Sequence, residues 1–403
     1  MNLPRQDTNC WRTPRCARAV RFWQGLLRLT SLATLTFCLA TVRVFAQSSW
    51  DVEVVDNTSS RNVGNFTSMA IDKEGNFHIG YHDESRGAVR YAFRSKNERE
   101  WHTMQLDAGG SALSLAIDST GHPHFAYAGE FERGLRYAYW DGTKWNKQTI
   151  DPEKIAFWNS IQLSHEGLPR ISYYQRLWQD GTYALHLKYA SFDGKTWFIE
   201  TVDPESATGK FNSLALDSAG NPHISYSDVD RGDLRYVYWD GSQWHYSAPD
   251  SHRASDGWVG LANSIVMDSN SFAHIAYLDV DHRKVKYTHW TGKKWETEFV
   301  DQLIGRADNI DRISLKLDRA ERPHMVYYDS GLGMLKYAVR RDDGWHVERI
   351  DASPQTGLHP SLCLDNEDRP FVSYYDMANG ALRFAARKTA AVAPRSASKT
   401  TVK

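Results

Sequence analysis

The hydrophobic and polar positions of the chain repeat as one phrase. It reads Ser-x-Ala-x-Asp-x-x-Gly-x-Pro-His-x-x-Tyr-x-Asp, then Gly-x-Leu-Arg-Tyr-Ala, Asp-Gly-x-x-Trp and Val-Asp, and its clearest copy begins at Ser213. One tyrosine marks each of seven copies: Tyr81, Tyr127, Tyr173, Tyr226, Tyr277, Tyr327 and Tyr374. The copies follow one another at 46 to 53 residues, a spacing typical of β-propeller blades.

Within each copy, short apolar and β-branched or aromatic runs are separated by Gly, Asp and Asn. This pattern predicts four strands joined by tight turns. In the copy at 213–246 we predict strands at Ser213–Leu216, His223–Tyr226 and Leu234–Tyr238, and a fourth that begins at Trp244. The predicted fold class is therefore all-β: a seven-bladed β-propeller of four-stranded antiparallel blades.

The two ends of the repeat array are complementary. Residues Trp50–Asp56 form a fourth strand with no blade before it, whereas the last copy stops after its third strand at Arg383–Ala386. Pairing the N-terminal strand with the last blade would close the ring and leave no open edge. A linear solenoid is the structural alternative.

The segments outside the repeats predict three regions. A basic leader carries an apolar run at Leu29–Val42, followed by Val44-Phe45-Ala46. This order is that of a signal peptide, so we expect cleavage after Ala46 and a secreted or periplasmic product. A retained membrane anchor is the alternative, although the run is short against the ~20 residues that span a bilayer. The regions are a signal peptide at 1–46, the propeller at 47–387 and a disordered basic tail at 388–403.

Charge and cysteine content narrow the range of partners, disulfides and metal sites that the chain could have. The chain has 48 Lys and Arg against 49 Asp and Glu, a net charge of −1, which argues against nucleic acid as a partner. Three of the four cysteines lie in the leader, so only Cys363 would remain and no intramolecular disulfide could form. Asp228, Asp230 and Asp233 do not have the spacing of an EF-hand loop, and no metal site is predicted.

Side chains that recur in most copies are expected to be structural. A histidine lies three residues before the marker tyrosine at His78, His124, His223, His274 and His324. Equivalent positions of a closed ring cannot converge on one ion, so we expect each histidine to satisfy hydrogen bonds within the scaffold. Repeated charge pairs are likewise assigned to hairpin stabilisation: Asp83–Arg90, Asp228–Arg235, Asp279–Lys286, Asp329–Lys336 and Asp376–Arg383.

The turn Asp193-Gly194-Lys195-Thr196-Trp197, echoed at Asp141–Trp145 and Asp240–Trp244, resembles the Asp-box of sialidase-like propellers in a shortened form. The repeat is similar to that of bacterial secreted propellers of the BNR or sialidase-like type, and more loosely to that of propeller lectins, over nearly all of residues 50–387. The resemblance implies the fold, because Asp-boxes are structural turns in those families. The arginine triad and Tyr–Glu pair of sialidases find no match here, and no catalytic residue is carried over.

The turns of each blade divide between two faces. The turns between second and third strands and the blade-to-blade connections lie on one face, here called the variable face, and the short Asp-Gly turns lie on the other. Variable loops on a rigid scaffold are where binding sites usually lie. The variable connections are predicted at Asn57–Asn65, Pro152–Asn159, Pro204–Asn212, Ser251–Asn263 and Gln302–Asp311.

Blades two and three depart most from the repeat. Blade two has Gly129 in place of the usual Asp, which would leave Arg136 without its partner, and blade three has Gln175 followed by a long predicted loop over Arg176–His186. The candidate ligand-binding residues are Arg136, Phe157, Trp158, Arg170, Trp178, Tyr183 and Trp258. Aromatic rings beside polar groups suit a sugar ring. The alternative is that Trp158 and Trp178 pack on each other to hold the long loop.

The sequence thus predicts an exported, monomeric binding propeller with carbohydrate or another cell-surface ligand as its partner. It needs no cofactor, and no membrane span remains after processing. Two alternatives stay open. One is a glycoside hydrolase or polysaccharide lyase, with Glu130, Glu132 and Asp180 as candidate catalytic carboxylates. The other is a protein-interaction scaffold at the cell surface.

Overall fold

A computed structural model describes residues 49–58, 62–129, 133–179, 181–204, 208–251, 257–304, 312–351 and 353–388. These residues form β-strands and no helix, arranged as seven antiparallel blades in a ring, which confirms the predicted fold class. Accordingly, none of the described residues belongs to a helix able to cross a membrane. The predicted signal peptide at 1–46 and the tail from 389 onward lie outside these residues.

The strands follow the chain blade by blade. Blade one comprises β2 (Val63–Ile71), β3 (Phe77–Asp83), β4 (Ala88–Arg94) and β5 (His102–Ala108). Blades two and three comprise β6 (Ser111–Ile117), β7 (Pro123–Ala128), β8 (Arg133–Trp140), the shared β9 (Trp145–Leu163), β10 (Pro169–Gln179), β11 (Thr182–Phe192) and β12 (Trp197–Asp203).

Blades four to seven complete the ring. Blade four comprises β13 (Thr208–Leu216), β14 (Pro222–Asp228), β15 (Asp233–Trp239) and β16 (Trp244–Asp250), and blade five comprises β17 (Val259–Met267), β18 (Ala273–Asp279), β19 (Lys284–Trp290) and β20 (Trp295–Gln302). Blade six comprises β21 (Ile313–Leu317), β22 (Pro323–Asp329), β23 (Met334–Arg341) and β24 (Gly344–Arg349). Blade seven comprises β25 (Thr356–Leu364), β26 (Pro370–Asp376), β27 (Ala381–Arg387) and the N-terminal β1 (Trp50–Asp56).

The N-terminal strand closes the ring as predicted. Strand β1 pairs antiparallel with β27, with Trp50 opposite Arg387. Trp50 is 2% exposed, its ring lies 5.3 Å from that of Tyr337, and its indole N–H donates to Glu348 at 3.0 Å. The closure therefore buries a large aromatic side chain as well as forming backbone hydrogen bonds, and the solenoid alternative is wrong.

A second closure runs around the central channel, where one serine from each innermost strand takes part in a ring of hydrogen bonds. Each serine Oγ accepts the backbone N–H of a residue in the following blade, at 2.9–3.2 Å. The last bond, from Met69 N–H to Ser361 Oγ, joins blade one to blade seven. The seven serines are Ser68, Ser114, Ser160, Ser213, Ser264, Ser314 and Ser361.

The repeated tyrosines and histidines are buried and hydrogen-bonded. Every marker tyrosine donates its hydroxyl to an aspartate at the end of the preceding blade's fourth strand, as Tyr226 does to Asp203 at 2.6 Å. Each repeated histidine is hydrogen-bonded to a tyrosine hydroxyl through Nδ1 and has an aspartate within 3.2–3.5 Å of Nε2, as His324 does with Tyr337 and Asp318. These contacts match the structural role predicted for them.

The charge pairs also join blades to one another. Lys286 contacts Asp279 of its own hairpin at 2.9 Å and Asp250 of the preceding blade at 3.0 Å. Arg90, Lys336 and Arg383 bridge two aspartates in the same way. The predicted hairpin pairing is therefore one half of a larger contact that links neighbouring blades.

Two segments predicted as loops are strands. Strand β9 runs without interruption through the predicted connection at 152–159, and strands β10 and β11 pair through most of the predicted loop at 176–186. Pairing on both sides of β10, with β9 and with β11, satisfies the backbone groups that a loop would leave to water. The extension of these three strands past the usual turn position is called the blade three arm below.

Candidate functional site on the variable face

Six of the seven innermost strands have a β-bulge two residues before the ring serine. The residue at this position has a left-handed φ of 48 to 54° in six blades, and the pairing register shifts around it. Such a conformation is costly for residues other than glycine and occurs where a side chain must be redirected. The seven equivalent residues surround the mouth of the channel on the variable face: Phe66, Ala112, Trp158, Phe211, Ala262, Arg312 and His359.

The rings at the channel mouth form two clusters between neighbouring blades. Phe66 lies 4.4 Å from His359 between ring centroids, and 6.4 Å from His82. Across the mouth, Trp158 lies 4.8 Å from Phe211. The small side chain of Ala112 separates the two clusters on one side. The mouth is therefore bordered by aromatic surface on two sides.

A cleft with a volume of about 900 Å³ opens beside the first cluster, between blades one and two. Phe66, His82 and His359 form its aromatic part, and Asn65, Glu84 and Arg86 line it with polar groups. Its size is within the range of about 300–1,000 Å³ typical of small-molecule sites. We call this feature the blade one–two cleft.

The cleft exists because the residues on one of its sides have small side chains or none. Its far wall consists of Ala108, Gly109, Gly110, Ser111 and Gly129. The connection into blade two is reduced to two glycines, and Gly129 replaces the aspartate found at this turn in most blades. Gly110 has a φ of 131°, and a Cβ there would lie 2.7 Å from the Ala128 carbonyl oxygen, so only glycine fits. Small residues therefore form this wall, and the space that larger side chains would fill belongs to the cleft.

His82 is a partly buried residue in the wall of the cleft. Its Nδ1 is buried and has no hydrogen-bond partner among the described residues. Burial lowers the pKa of His82, although the carboxylates of Glu84 and Asp83 act in the opposite direction. The imidazole is consequently neutral near pH 7 and can accept a proton or a hydrogen bond.

The polar rim is held by its own contacts. Asn65 Nδ2 donates to Glu84 Oε2 at 3.2 Å, and Arg86 pairs with the buried Asp83 at 3.2 Å. Glu84 and Arg86 are both exposed, so an acceptor and a donor of opposite charge border the same aromatic surface. Such a rim can accept hydrogen bonds from sugar hydroxyl groups through Glu84 and donate hydrogen bonds to them through Arg86.

The predicted aromatic residues fall into three places. Trp158 packs against Phe157 at 5.6 Å and Tyr174 at 5.3 Å in addition to Phe211, so it belongs to the channel mouth. Trp178 and Tyr183 lie opposite each other on the blade three arm, 4.7 Å apart. Trp258 lies at the entrance to blade five, where its backbone N–H bonds Asp281. Trp158 and Trp178 thus have separate ring partners, and the proposed packing between them is wrong.

Two predicted binding residues have structural contacts instead. Arg136 is not left without a partner, because it pairs with Asp107 of the preceding blade at 2.5 Å and lies over the Tyr127 ring. Arg170 lies on the face opposite the variable one, where its guanidinium donates to the carbonyls of Phe192 at 2.7 Å and Pro169 at 3.1 Å. The candidate catalytic residues Glu130, Glu132 and Asp180 lie outside the described residues.

The cleft residues were missed by reasoning from the sequence, although one signal exists. His82 and Glu84 follow the marker Tyr81 by one and three residues; no other copy has a histidine at the first position, and only blade two repeats the glutamate, as Glu130. Phe66 and His359 share their repeat position with Trp158, which was selected for its size. Among the residues with described positions, no group of three or more His, Cys, Asp or Glu is arranged to hold a metal ion.

Comparison with known proteins identifies the fold. No protein-family model matches the chain, and no curated protein matches it. A polysaccharide lyase of family PL25, an ulvan lyase, aligns with a TM-score of 0.58 at 14% identity, over 80% of this chain and 93% of the lyase. The polysaccharide lyase Uly1 gives 0.53 at 10% identity, over 80% and 90%. YCF48 bound to D1 peptide gives 0.52 at 12% identity, over 86% and 98%. At these identities, the likeness shows that the chain shares their propeller fold.

Proposed function

We propose that this protein is an exported carbohydrate-binding propeller that holds a polysaccharide chain in the blade one–two cleft. The observation that carries the proposal is the cleft itself, where Phe66 lies between two histidine rings beside the Asn65–Glu84 pair. A ring of this kind covers the apolar face of a sugar while amide and carboxylate groups bond its hydroxyls. The shared fold with two polysaccharide lyases supports the same class of ligand.

Affinity electrophoresis through gels containing neutral and acidic polysaccharides tests this proposal. We expect retardation by at least one polysaccharide and, on short oligosaccharides derived from it, at least tenfold weaker binding by Phe66→Ala. Phe211→Ala is the matched control, because it removes the same ring from the same bulge position in blade four, away from the cleft. Absence of binding to every polysaccharide would overturn the proposal, and equal losses in both variants would exclude the cleft as the site.

A second function, cleavage of the bound chain by β-elimination, is favoured by one observation. His82 lines the cleft and burial keeps its imidazole neutral, as a general base requires. In an acidic sugar, such a base takes the proton from C5, next to the carboxylate. A double bond forms between C4 and C5 as the C4–O glycosidic bond breaks, and the leaving oxygen takes a proton from water. Turnover would appear as ultraviolet absorbance of the unsaturated product.

The variant His82→Gln separates the two functions. Glutamine keeps a polar side chain in the cleft but cannot take up a proton at neutral pH. If the protein is a lyase, this variant should lose turnover and retain binding. Binding without turnover in the natural protein would leave the binding function alone, and full turnover in His82→Gln would exclude this residue as the base.

A further inference from the structure

The blade three arm carries exposed aromatic surface beyond the cleft. In the other blades with described turns, the second strand ends at the residue equivalent to Gln175, whereas β10 continues for four residues to Gln179. At about 3.3 Å per residue, this extension projects roughly 13 Å beyond the usual turn. Trp178 is 61% exposed and Tyr183 is 50% exposed at its end, the first being the most exposed large apolar side chain described.

One face of the arm forms a continuous stripe that leads to the channel mouth. Tyr174, Arg176 and Trp178 alternate along β10 and therefore point to the same side. Tyr183 faces Trp178 across the hairpin, and the Arg176 guanidinium lies 5.0 Å from the Tyr183 ring centroid. At the other end, Tyr174 contacts Trp158 at 5.3 Å. Tyr174 is only 2% exposed, so it anchors the base of the stripe on the aromatic border of the mouth, while Trp178 and Tyr183 form the exposed end.

The side chains of the stripe are fixed in direction, yet one of their donor groups has no hydrogen-bond partner. Backbone pairing with β11 along the whole arm, and with β9 as far as Arg176, fixes the direction of these side chains. The Nε of Arg176 is buried and has no hydrogen-bond partner among the described residues. An unpaired buried donor is costly unless a ligand or water satisfies it. A guanidinium beside the Tyr183 ring presents donors next to a stacking surface, which matches the hydroxyl and acidic groups of a sugar chain.

We infer that the blade three arm is a second contact for the same polysaccharide chain, at a distance from the blade one–two cleft. This inference rests on the proposed carbohydrate-binding function and adds a dependence on chain length. A short oligosaccharide fills only the cleft. A longer chain crosses the channel mouth and stacks its distal sugars on Trp178 and Tyr183.

Calorimetric titration with oligosaccharides of increasing length tests the inference. They are prepared from a polysaccharide that retards the natural protein in the gel experiment. The natural protein should bind long fragments more tightly than short ones. Trp178→Ala should weaken binding of long fragments about threefold to tenfold, the size of one stacking contact, and leave the shortest bound fragment unchanged. Phe198→Ala is the control, because Phe198 is 56% exposed on the outer strand of the same blade, away from the stripe.

The outcomes separate this inference from the function on which it rests. If the natural protein binds no polysaccharide, both proposals fail. If the natural protein binds a polysaccharide but Trp178→Ala binds fragments of every length with the same affinity, the cleft remains the proposed site and the arm is excluded as a contact. An equal loss for short and long fragments would also overturn the inference, because the arm would then belong to the primary site. Circular dichroism of the variant verifies that the blades remain folded.

Discussion

Removing the indole of Trp50 should weaken the closure of the ring. A buried tryptophan removes about 150–250 Å² from water, which at about 25 cal/mol per Å² corresponds to roughly 4–6 kcal/mol. That figure is an upper bound, because the unfolded chain already buries part of its surface. Glu348 is about one-third exposed, so water replaces the lost indole hydrogen bond at little cost. We therefore expect Trp50→Ala to lower the free energy of unfolding by about 3–5 kcal/mol.

Urea denaturation followed by far-ultraviolet circular dichroism measures this loss. The matched control is Trp178→Ala, which deletes the same side chain from an exposed site and should change the free energy of unfolding by no more than about 0.5 kcal/mol. A loss below about 1 kcal/mol for Trp50→Ala would refute the reasoning, because it would mean that β1 contributes little to holding the last blade.

Three further predictions concern the repeated contacts. Ser213→Ala removes the acceptor of the Ile265 N–H and should cost about 1 kcal/mol in urea denaturation, and a neutral result would show that water in the channel replaces the serine fully. Tyr226→Phe leaves the buried Asp203 without its tyrosine donor and should cost about 1.5–3 kcal/mol, whereas Tyr183→Phe on the exposed arm should cost nearly nothing. Burial lowers the pKa of the five repeated histidines, and this effect outweighs that of their aspartate partners. The free energy of unfolding should therefore be highest above about pH 6.5 and should decrease below it, because there the unfolded state takes up more protons than the folded state. Equal urea midpoints at about pH 7.5 and pH 5.5 would contradict this.

The fold was predictable because its information is repeated. Seven copies of one phrase specify the blade, and the orphan strand at Trp50–Asp56 matches the strand that the last copy lacks. The structural role of the histidines followed from the same repetition. The alternation within each copy also gave the strand positions of blade four, although β13 begins five residues before the predicted Ser213.

The site was less predictable because it depends on contacts that cross repeats and on side chains that are absent. Arg136 looked unpaired within its own copy, but its partner Asp107 belongs to the preceding blade. Gly109 and Gly110 open the cleft through the space they leave, and a search for large or charged departures passes over such residues. The bulge at Phe66 is likewise invisible in a pattern of alternating residues, yet it turns the ring toward the channel mouth.

The contact between the first and last described residues of the propeller determines from which side it can be attached to a surface. The Lys388 N–H donates to the Ser49 carbonyl at 2.8 Å, at the place where the other blades make their short turn between third and fourth strands. Ser49 and Lys388, the first and last described residues, therefore lie on the face opposite the cleft and the arm. A tag or linker joined directly at Ser49 or Lys388 would hold the propeller from the side opposite the cleft and the arm.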